Sequence, residues 1–321
     1  MNDGPIAQCA AAAPGRVGRG QRRRRPCLRA TGLALLIAAT ASTSAIGTEP
    51  FRHGLLWRLD RPGVPSSWVY GTLHSSDPRV TALPRPVERA FAGARAFAME
   101  IYLSEVEEAG FFDAMQFDDQ RRLAPLLGDE AYARLREVLG ESVPPEEVLA
   151  RTKPWAALLR VAATRAANLA QTGPTLDRQL FFAARERRMT VVGLEGLEEQ
   201  VAAFDAIPLT TQLALLRHAL YHLPELDAQL EPAIRAWLAR DLAGLARVGA
   251  EAAGGDTELA RHYAVLTHQL IENRSVVMAH RLFLPLAHGR VFIAVGALHL
   301  YGSKGLLALL RAQGYRIHRI Y

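Results

Sequence analysis

Two short apolar runs lie 225 positions apart in this sequence, and each one leads into a Gly-x-x-His segment. Residues 68–70 precede the first segment at 71–74, and residues 291–295 precede the second at 296–299. Short apolar runs that end in turn residues are typical of buried strands. Both segments are therefore predicted to leave the ends of strands, although almost the whole chain separates them.

The rest of the pattern predicts an α/β fold of mixed α+β character. Runs with strand character occur at residues 54–59, 67–70, 96–101, 190–195, 290–295 and 315–321. Most of the remaining chain has apolar residues three and four positions apart, which is typical of amphipathic helices. We therefore predict one domain over residues 46–321, in which the amino- and carboxyl-terminal segments form a central sheet. A large helical insert is predicted at about residues 105–285.

The positive charge of the chain is concentrated near its amino terminus. The formal net charge is +6, but residues 1–29 hold seven arginines and one acidic residue. Of the 38 basic and 32 acidic residues, 31 of each remain from residue 30 onward. The folded part is therefore neutral and offers no basic stripe for a phosphate backbone, so we expect no nucleic-acid partner.

Residues 1–45 have the pattern of a secretory signal peptide. Four arginines at 22–25 precede an apolar stretch at 28–41, and small residues lead up to Ala45. We expect cleavage after Ala45, a periplasmic or secreted mature protein, and no membrane span in the mature chain. The alternative is a membrane anchor formed by residues 28–45.

Several common catalytic motifs are missing from the sequence. Cys9 and Cys27 both lie in the predicted signal peptide, so the mature chain is expected to have no thiol nucleophile. No phosphate loop, dinucleotide-binding glycine motif or Gly-x-Ser-x-Gly elbow occurs. His218 and His222 are four residues apart, but the sequence between them lacks the glutamate of His-Glu-x-x-His. We interpret both as surface or hydrogen-bonded residues.

His74 and His299 are the first candidates for a functional site. Each is expected at the carboxyl edge of the sheet, where open α/β sheets place their ligands. Gly71 and Gly296 would permit a turn that a β-carbon resists. Imidazole is a common metal ligand near neutral pH, and two rings from different strand ends can converge on one point. The alternative is that each histidine caps a turn or bonds a carbonyl group.

Four charged residues in apolar surroundings extend this set. Glu100 ends an apolar run, and a carboxylate there is costly unless it is paired or binds a metal. With the two histidines it would fill three positions of a catalytic metal site, unless it is simply the first exposed residue after a strand. Arg274 suits an oxyanion or a carboxylate, or forms a surface salt bridge. Asp177 and Glu195 are acidic candidates of the same kind, and the alternative is that each serves only a helix terminus.

The two histidine segments and their surroundings resemble the signature blocks of the TraB/PrgY/GumN family, which also includes the animal Tiki proteins. The resemblance extends over about residues 54–321. Further matching stretches occur at residues 97–101, 153–155, 175–177, 193–195, 199–200, 272–274, 302, 305–307 and 314–315. Asp177, Glu195 and Asn273 belong to these stretches and are further site candidates.

The resemblance implies a fold like erythromycin esterase and the haem-binding ChaN proteins, and a metal-dependent peptidase activity. It implies His74, His299 and Glu100 at the site, with manganese or cobalt as the metal, although the same donors suit zinc. We therefore expect a hydrolase of peptide or protein substrates in which Glu100 and Arg274 are the catalytic groups. The alternative is a non-catalytic periplasmic protein that sequesters a peptide or haem.

Overall fold

The computed structural model describes residues 50–102, 105–168 and 173–321, and only the backbone of residues 105–109 and 167–168. The predicted signal peptide lies outside this part of the chain. Within it, no helix is both long and apolar enough to cross a membrane.

The described residues contain one six-stranded mixed sheet. Its strands are β1 (Leu56–Arg61), β2 (Val64–Thr72), β3 (Ala96–Ile101), β4 (Thr190–Glu195), β5 (Val291–Gly296) and β6 (Arg316–Arg319). Their order in space is β4-β3-β5-β2-β1-β6. The strands β4, β3, β5 and β2 run parallel, and β1 pairs antiparallel with β2 and β6. The prediction that both ends of the chain share one central sheet is confirmed.

The central strand β5 shows why the sheet forms here. Its residues 291–295 are all buried, as expected for a parallel strand covered on both faces. Phe292 packs against Phe91 and Phe97, with ring centroids 5.2 and 6.5 Å away. The hairpin between β1 and β2 turns at Gly63, whose φ of 76° favours glycine.

Helices occupy nearly all of the described chain outside the sheet. Between β2 and β3 lie α1 (Pro78–Thr81) and α2 (Arg85–Gly93). Between β3 and β4 lie α3 (Glu105–Ala114), α4 (Leu123–Leu127), α5 (Asp129–Leu139), a 3-10 turn (Gly140–Ser142), α6 (Glu146–Arg151), α7 (Pro154–Asn168) and α8 (Leu176–Glu186). The predicted helical insert is present, but β4 divides it because that strand returns to the sheet.

The second half of the insert follows β4. It contains α9 (Leu197–Asp205), α10 (Leu209–Tyr221), α11 (Leu223–Ala228), α12 (Leu230–Leu238), α13 (Leu242–Glu251), α14 (Thr257–Thr267), a π-helical turn (His268–Asn273), α15 (Arg274–Arg281) and α16 (Phe283–His288). After β5 come a 3-10 turn (Ala297–Leu300) and α17 (Leu306–Ala312).

Some of these helices pack on the sheet, while others form a separate helical region. The helix α8 contacts β3 and β4, and α15 contacts β4. In α12, Trp237 donates its indole N–H to the Gly71 carbonyl at 3.0 Å, which ties that helix to β2. By contrast, α10 packs mainly against α5, α7 and α14. The helices on the sheet therefore supply the partners of residues at its carboxyl edge.

Candidate functional site

The two Gly-x-x-His segments leave neighbouring strands. Thr72 in β2 pairs with Gly296 in β5, so the segments are offset by one residue along the same edge of the sheet. His74 follows β2 by two residues, and His299 lies in the 3-10 turn that follows β5. Parallel strands thus bring together two segments that are far apart in sequence.

Glu100 lies at the same edge, one strand further along, and both of its carboxylate oxygens have polar partners. Its Oε1 atom accepts a hydrogen bond from the Gly296 amide at 2.7 Å. Its Oε2 atom accepts one from Arg274 Nη2 at 2.8 Å. The His299 Nε2 atom is 3.7 Å from Glu100 Oε1. Glu100 is therefore a paired carboxylate and not simply the first exposed residue after a strand.

Arg274 is buried and bridges two carboxylates, so the surface salt-bridge alternative is wrong. Its Nε and Nη2 atoms donate to Glu195, at 2.9 and 2.5 Å, and Nη2 also donates to Glu100. Its Nη1 atom donates to the Leu270 carbonyl at 3.2 Å. These described partners engage four of the five guanidinium N–H groups. The geometry therefore favours orientation of Glu100 over the predicted stabilisation of an oxyanion.

Glu195 is the buried partner that fixes Arg274. It ends β4 and pairs with Ile101 across the sheet, next to Glu100. It does not cap α9, because Gly196 is the N-cap residue and Glu199 bonds the Gly196 amide. The helix-terminus alternative for Glu195 is therefore wrong, because Glu195 forms a buried ion pair with Arg274.

Ser275 fixes the tautomer of His299, whose ring is almost fully buried. The Ser275 hydroxyl is 2.7 Å from the Ile271 carbonyl, to which it donates its only hydrogen. Its oxygen must then accept from His299 Nδ1, which is 2.9 Å away. The Nε2 atom of His299 is consequently the unprotonated nitrogen, and it is the one that approaches Glu100.

Burial and the neighbouring charges leave no proton between His299 and Glu100 at neutral pH. Burial lowers the pKa of His299 to about 4, assisted by Arg274 and opposed by Glu100. Burial acts to raise the pKa of Glu100, but His299, Arg274 and the Gly296 amide lower it to about 2. Burial raises the pKa of Glu195, against the opposing effect of Arg274. At pH 7 a neutral imidazole nitrogen thus faces a carboxylate oxygen.

His74 is held by Asp177, the second residue of α8. Its Nδ1 atom is 3.2 Å from Asp177 Oδ2, and the Thr72 hydroxyl donates to the other carboxylate oxygen. A carboxylate oxygen accepts, so the proton lies on Nδ1 and the lone pair on Nε2. Asp177 therefore orients His74, as carboxylates orient metal-binding histidines, and does more than serve a helix terminus.

The predicted site residues thus fall into two groups along one edge of the sheet. One group contains Glu100, Arg274, Glu195 and His299, and the other contains His74 and Asp177. In the part of the chain that the structure describes, no three His, Cys, Asp or Glu side chains form a metal-ligand arrangement.

Comparison with known proteins agrees with these motifs. The model of the TraB/PrgY/gumN family matches residues 55–319. The chain belongs to this family. Two curated relatives, from Shigella flexneri and Escherichia coli (strain K12), are both named "Uncharacterized protein YbaP". Each is 24% identical over 253 residues, which cover 78% of this chain and 89% of the relative. No solved structure matches the chain.

In this TraB/PrgY/gumN protein, Gly71 and Gly296 allow neighbouring atoms to pack closely against the backbone, and neither forms an unusual turn. Neither Gly71 nor Gly296 has a positive φ, which corrects the sequence interpretation. A β-carbon at Gly71 would lie 2.8 Å from Leu300 Cδ1. One at Gly296 would lie 3.2 Å from Glu100 Oε1 and 3.6 Å from His299 Cδ2. Gly296 therefore leaves the space that lets Glu100 reach its backbone amide.

Asn273 is one predicted site candidate that the structure does not bring to these groups. Its exposed side chain donates to Gln269 Oε1 at 2.8 Å. Thr72 and Ser275 were not predicted from the sequence as site residues. The Thr72 hydroxyl bonds Asp177, which holds His74, and the Ser275 hydroxyl bonds His299. Thr72 lies inside the first Gly-x-x-His segment, and Ser275 directly follows Arg274. Proximity to the motifs was therefore the only signal available for them.

Proposed function

We propose that this TraB/PrgY/gumN protein is an exported, metal-dependent hydrolase that cleaves peptide bonds at the carboxyl edge of its sheet. The observation that carries the proposal is the approach of His299 Nε2 to Glu100 Oε1 at 3.7 Å. Both facing atoms carry lone pairs, so a single divalent cation could bind the two of them. Imidazole and carboxylate are also a common pair of ligands for catalytic divalent metals.

The donor chemistry fits a divalent metal, although the described geometry assembles only two donors of the predicted three. His299 and Glu100 would hold the ion, with His74 from the neighbouring strand end as the third ligand. Each has an oriented partner of the kind that metal ligands use: Ser275, Arg274 and Asp177, respectively. A bound manganese, cobalt or zinc ion would supply Lewis-acid polarisation and activation of water.

Side chains of the protein would transfer the proton of the attacking water and orient the ligands of the metal. The Glu100 carboxylate would take a proton from the attacking water and later return it to the leaving amine. Arg274 would keep this carboxylate ionised and aligned through its contact with Oε2. Ser275 would keep the His299 lone pair on Nε2, because its hydroxyl oxygen accepts a hydrogen bond from the Nδ1 proton.

Metal analysis combined with a peptide-library cleavage assay tests this function. The mature protein should contain a divalent metal and cleave peptides, and exhaustive chelation should abolish cleavage. His74→Ala and His299→Ala should each abolish cleavage, whereas His288→Ala, at an exposed helix end, should not. Cleavage that survives chelation, or both active-site replacements, would contradict the proposal. It would favour a binding protein that sequesters a peptide or haem without turnover.

Export is supported by the arginine-rich and apolar pattern of residues 1–45. We expect the mature protein to begin near Ile46. Mass spectrometry of the protein recovered from the periplasm measures this directly. Recovery there of a chain that still starts at Met1 would contradict cleavage and favour the membrane-anchor alternative.

A further inference from the structure

A pair of histidines lies in the helical region, on a helix that packs mainly against other helices. His218 is in the last turn of α10, and His222 directly follows that helix. Their rings stack with centroids 4.5 Å apart and planes inclined by 21°. Residues four apart on a helix share a face, and two histidines at this spacing form the metal-binding part of helical zinc motifs. No other two histidines in the sequence are four positions apart.

The hydrogen bonds of both rings leave Nε2 as the nitrogen that can bind a ligand. His222 Nδ1 is 3.2 Å from the His218 carbonyl oxygen, which can only accept, so the proton lies on Nδ1. The backbone of Ala252 hydrogen-bonds the His218 ring. The Nε2 atom of His218 is buried and has no hydrogen-bond partner among the described residues. Metal-binding histidines commonly bond a backbone carbonyl through the nitrogen that does not bind the metal.

The charge around the pair also suits a cation. Glu225 and Asp256 act on His218 as nearby negative charges. A buried nitrogen without a partner is costly, and a cation bound there would remove that cost.

We propose that His218 and His222 bind a divalent transition-metal ion at a second site, outside the candidate active site. The two Nε2 atoms are the protein ligands, and water fills the remaining positions. Rotation of the exposed His222 ring out of the stacked arrangement, with loss of its Nδ1 hydrogen bond to the His218 carbonyl, would bring both Nε2 atoms to one ion. Imidazole ligands suit zinc, copper and nickel. The proposal does not depend on the hydrolase function.

Calorimetric titration of the purified mature chain with Zn²⁺ tests the site. His222→Gln should remove one equivalent of bound Zn²⁺, or weaken its binding at least about tenfold. His288→Gln is a matched control, because His288 Nδ1 also bonds the carbonyl four residues back, at 3.1 Å, but that residue is Leu284. His299→Ala should retain the equivalent that His222→Gln removes, which separates this site from the candidate active site.

The exposed position of His222 keeps the test independent of folding. Its replacement should leave the far-ultraviolet circular dichroism spectrum and the metal-free melting temperature unchanged. Added Zn²⁺ should raise the melting temperature of the wild-type chain more than that of His222→Gln. Equal Zn²⁺ stoichiometry and affinity in the wild type and in His222→Gln would overturn the proposal.

Discussion

Replacement of Arg274 by Met should cause a large loss of stability, because it leaves a buried carboxylate without its cation. Arg274 is 9% exposed and Glu195 is 4% exposed. Removing one partner of a buried ion pair costs about 3–5 kcal/mol. Protonating Glu195 instead, from an ordinary pKa of about 4.3, costs about 4 kcal/mol at pH 7. Glu100 adds less, since its side chain is 26% exposed and keeps the Gly296 amide.

Guanidinium denaturation followed by circular dichroism measures this loss in the free energy of unfolding. Arg281→Met is the matched control on the same helix, since Arg281 and its partner Glu199 are both 40% exposed. An exposed pair of this kind contributes about 0.2–1 kcal/mol. Adding Glu195→Leu to Arg274→Met should recover about 1–3 kcal/mol, because it removes the unpaired charge. A loss for Arg274→Met no larger than that for Arg281→Met would refute the reasoning.

Three further changes test the arrangement around the two histidines. Gly296→Ala should reduce peptide cleavage, because a β-carbon there would lie 3.2 Å from Glu100 Oε1. Gly93→Ala is the control, since Gly93 is exposed and a β-carbon there would make only an ordinary contact of 3.5 Å with Trp68. Equal activity of the Gly296 variant and the control would contradict the close approach. Ser275→Ala should lower the free energy of unfolding by about 1–3 kcal/mol, as it removes a hydrogen-bond partner of the buried His299 Nδ1, and Ser275→Thr should restore most of it. Asp177→Asn should weaken metal binding about 10–100-fold with little change in melting temperature, and unchanged affinity would separate Asp177 from the metal site.

The strands and their grouping could be predicted because burial leaves a local pattern. Residues 291–295 are continuously apolar, and a strand buried on both faces requires this. The placement of His74 and His299 at one edge then follows from the common direction of parallel strands. Glu100 became a candidate for the same site because it ends another buried run, whereas its position one strand away came from the structure. Fold class and site location are thus encoded in short segments that can be read independently.

The partners of these residues could not be predicted, because they depend on contacts between distant segments. Arg274 and Glu195 are 79 positions apart, and either residue alone resembles an ordinary surface charge. The π-helical turn before Arg274 has no evident signal in the sequence, although such turns are frequent at functional sites. The role of Ser275 depends on its position two residues after the end of that turn.

The functions of the two motif glycines also required the structure. The sequence suggested that both permit a turn, whereas both have ordinary φ values and serve close packing. A glycine at the end of a strand is compatible with either explanation. Only the neighbours of the missing β-carbon, Leu300 at Gly71 and Glu100 at Gly296, distinguish them.

The most direct test of the central claim is peptide cleavage by the metal-loaded mature protein carrying Glu100→Gln. Glu88→Gln, at an exposed position in α2, is the control. Because Glu100 is proposed both to help hold the metal and to take the proton from water, its replacement should abolish cleavage and lower metal content, while the melting temperature of the metal-free protein stays near wild type. Lost cleavage with unchanged metal content would restrict Glu100 to the proton transfer. The Glu88 control should cleave at the wild-type rate. Undiminished cleavage by Glu100→Gln would contradict the proposed role of Glu100 and with it the hydrolase site.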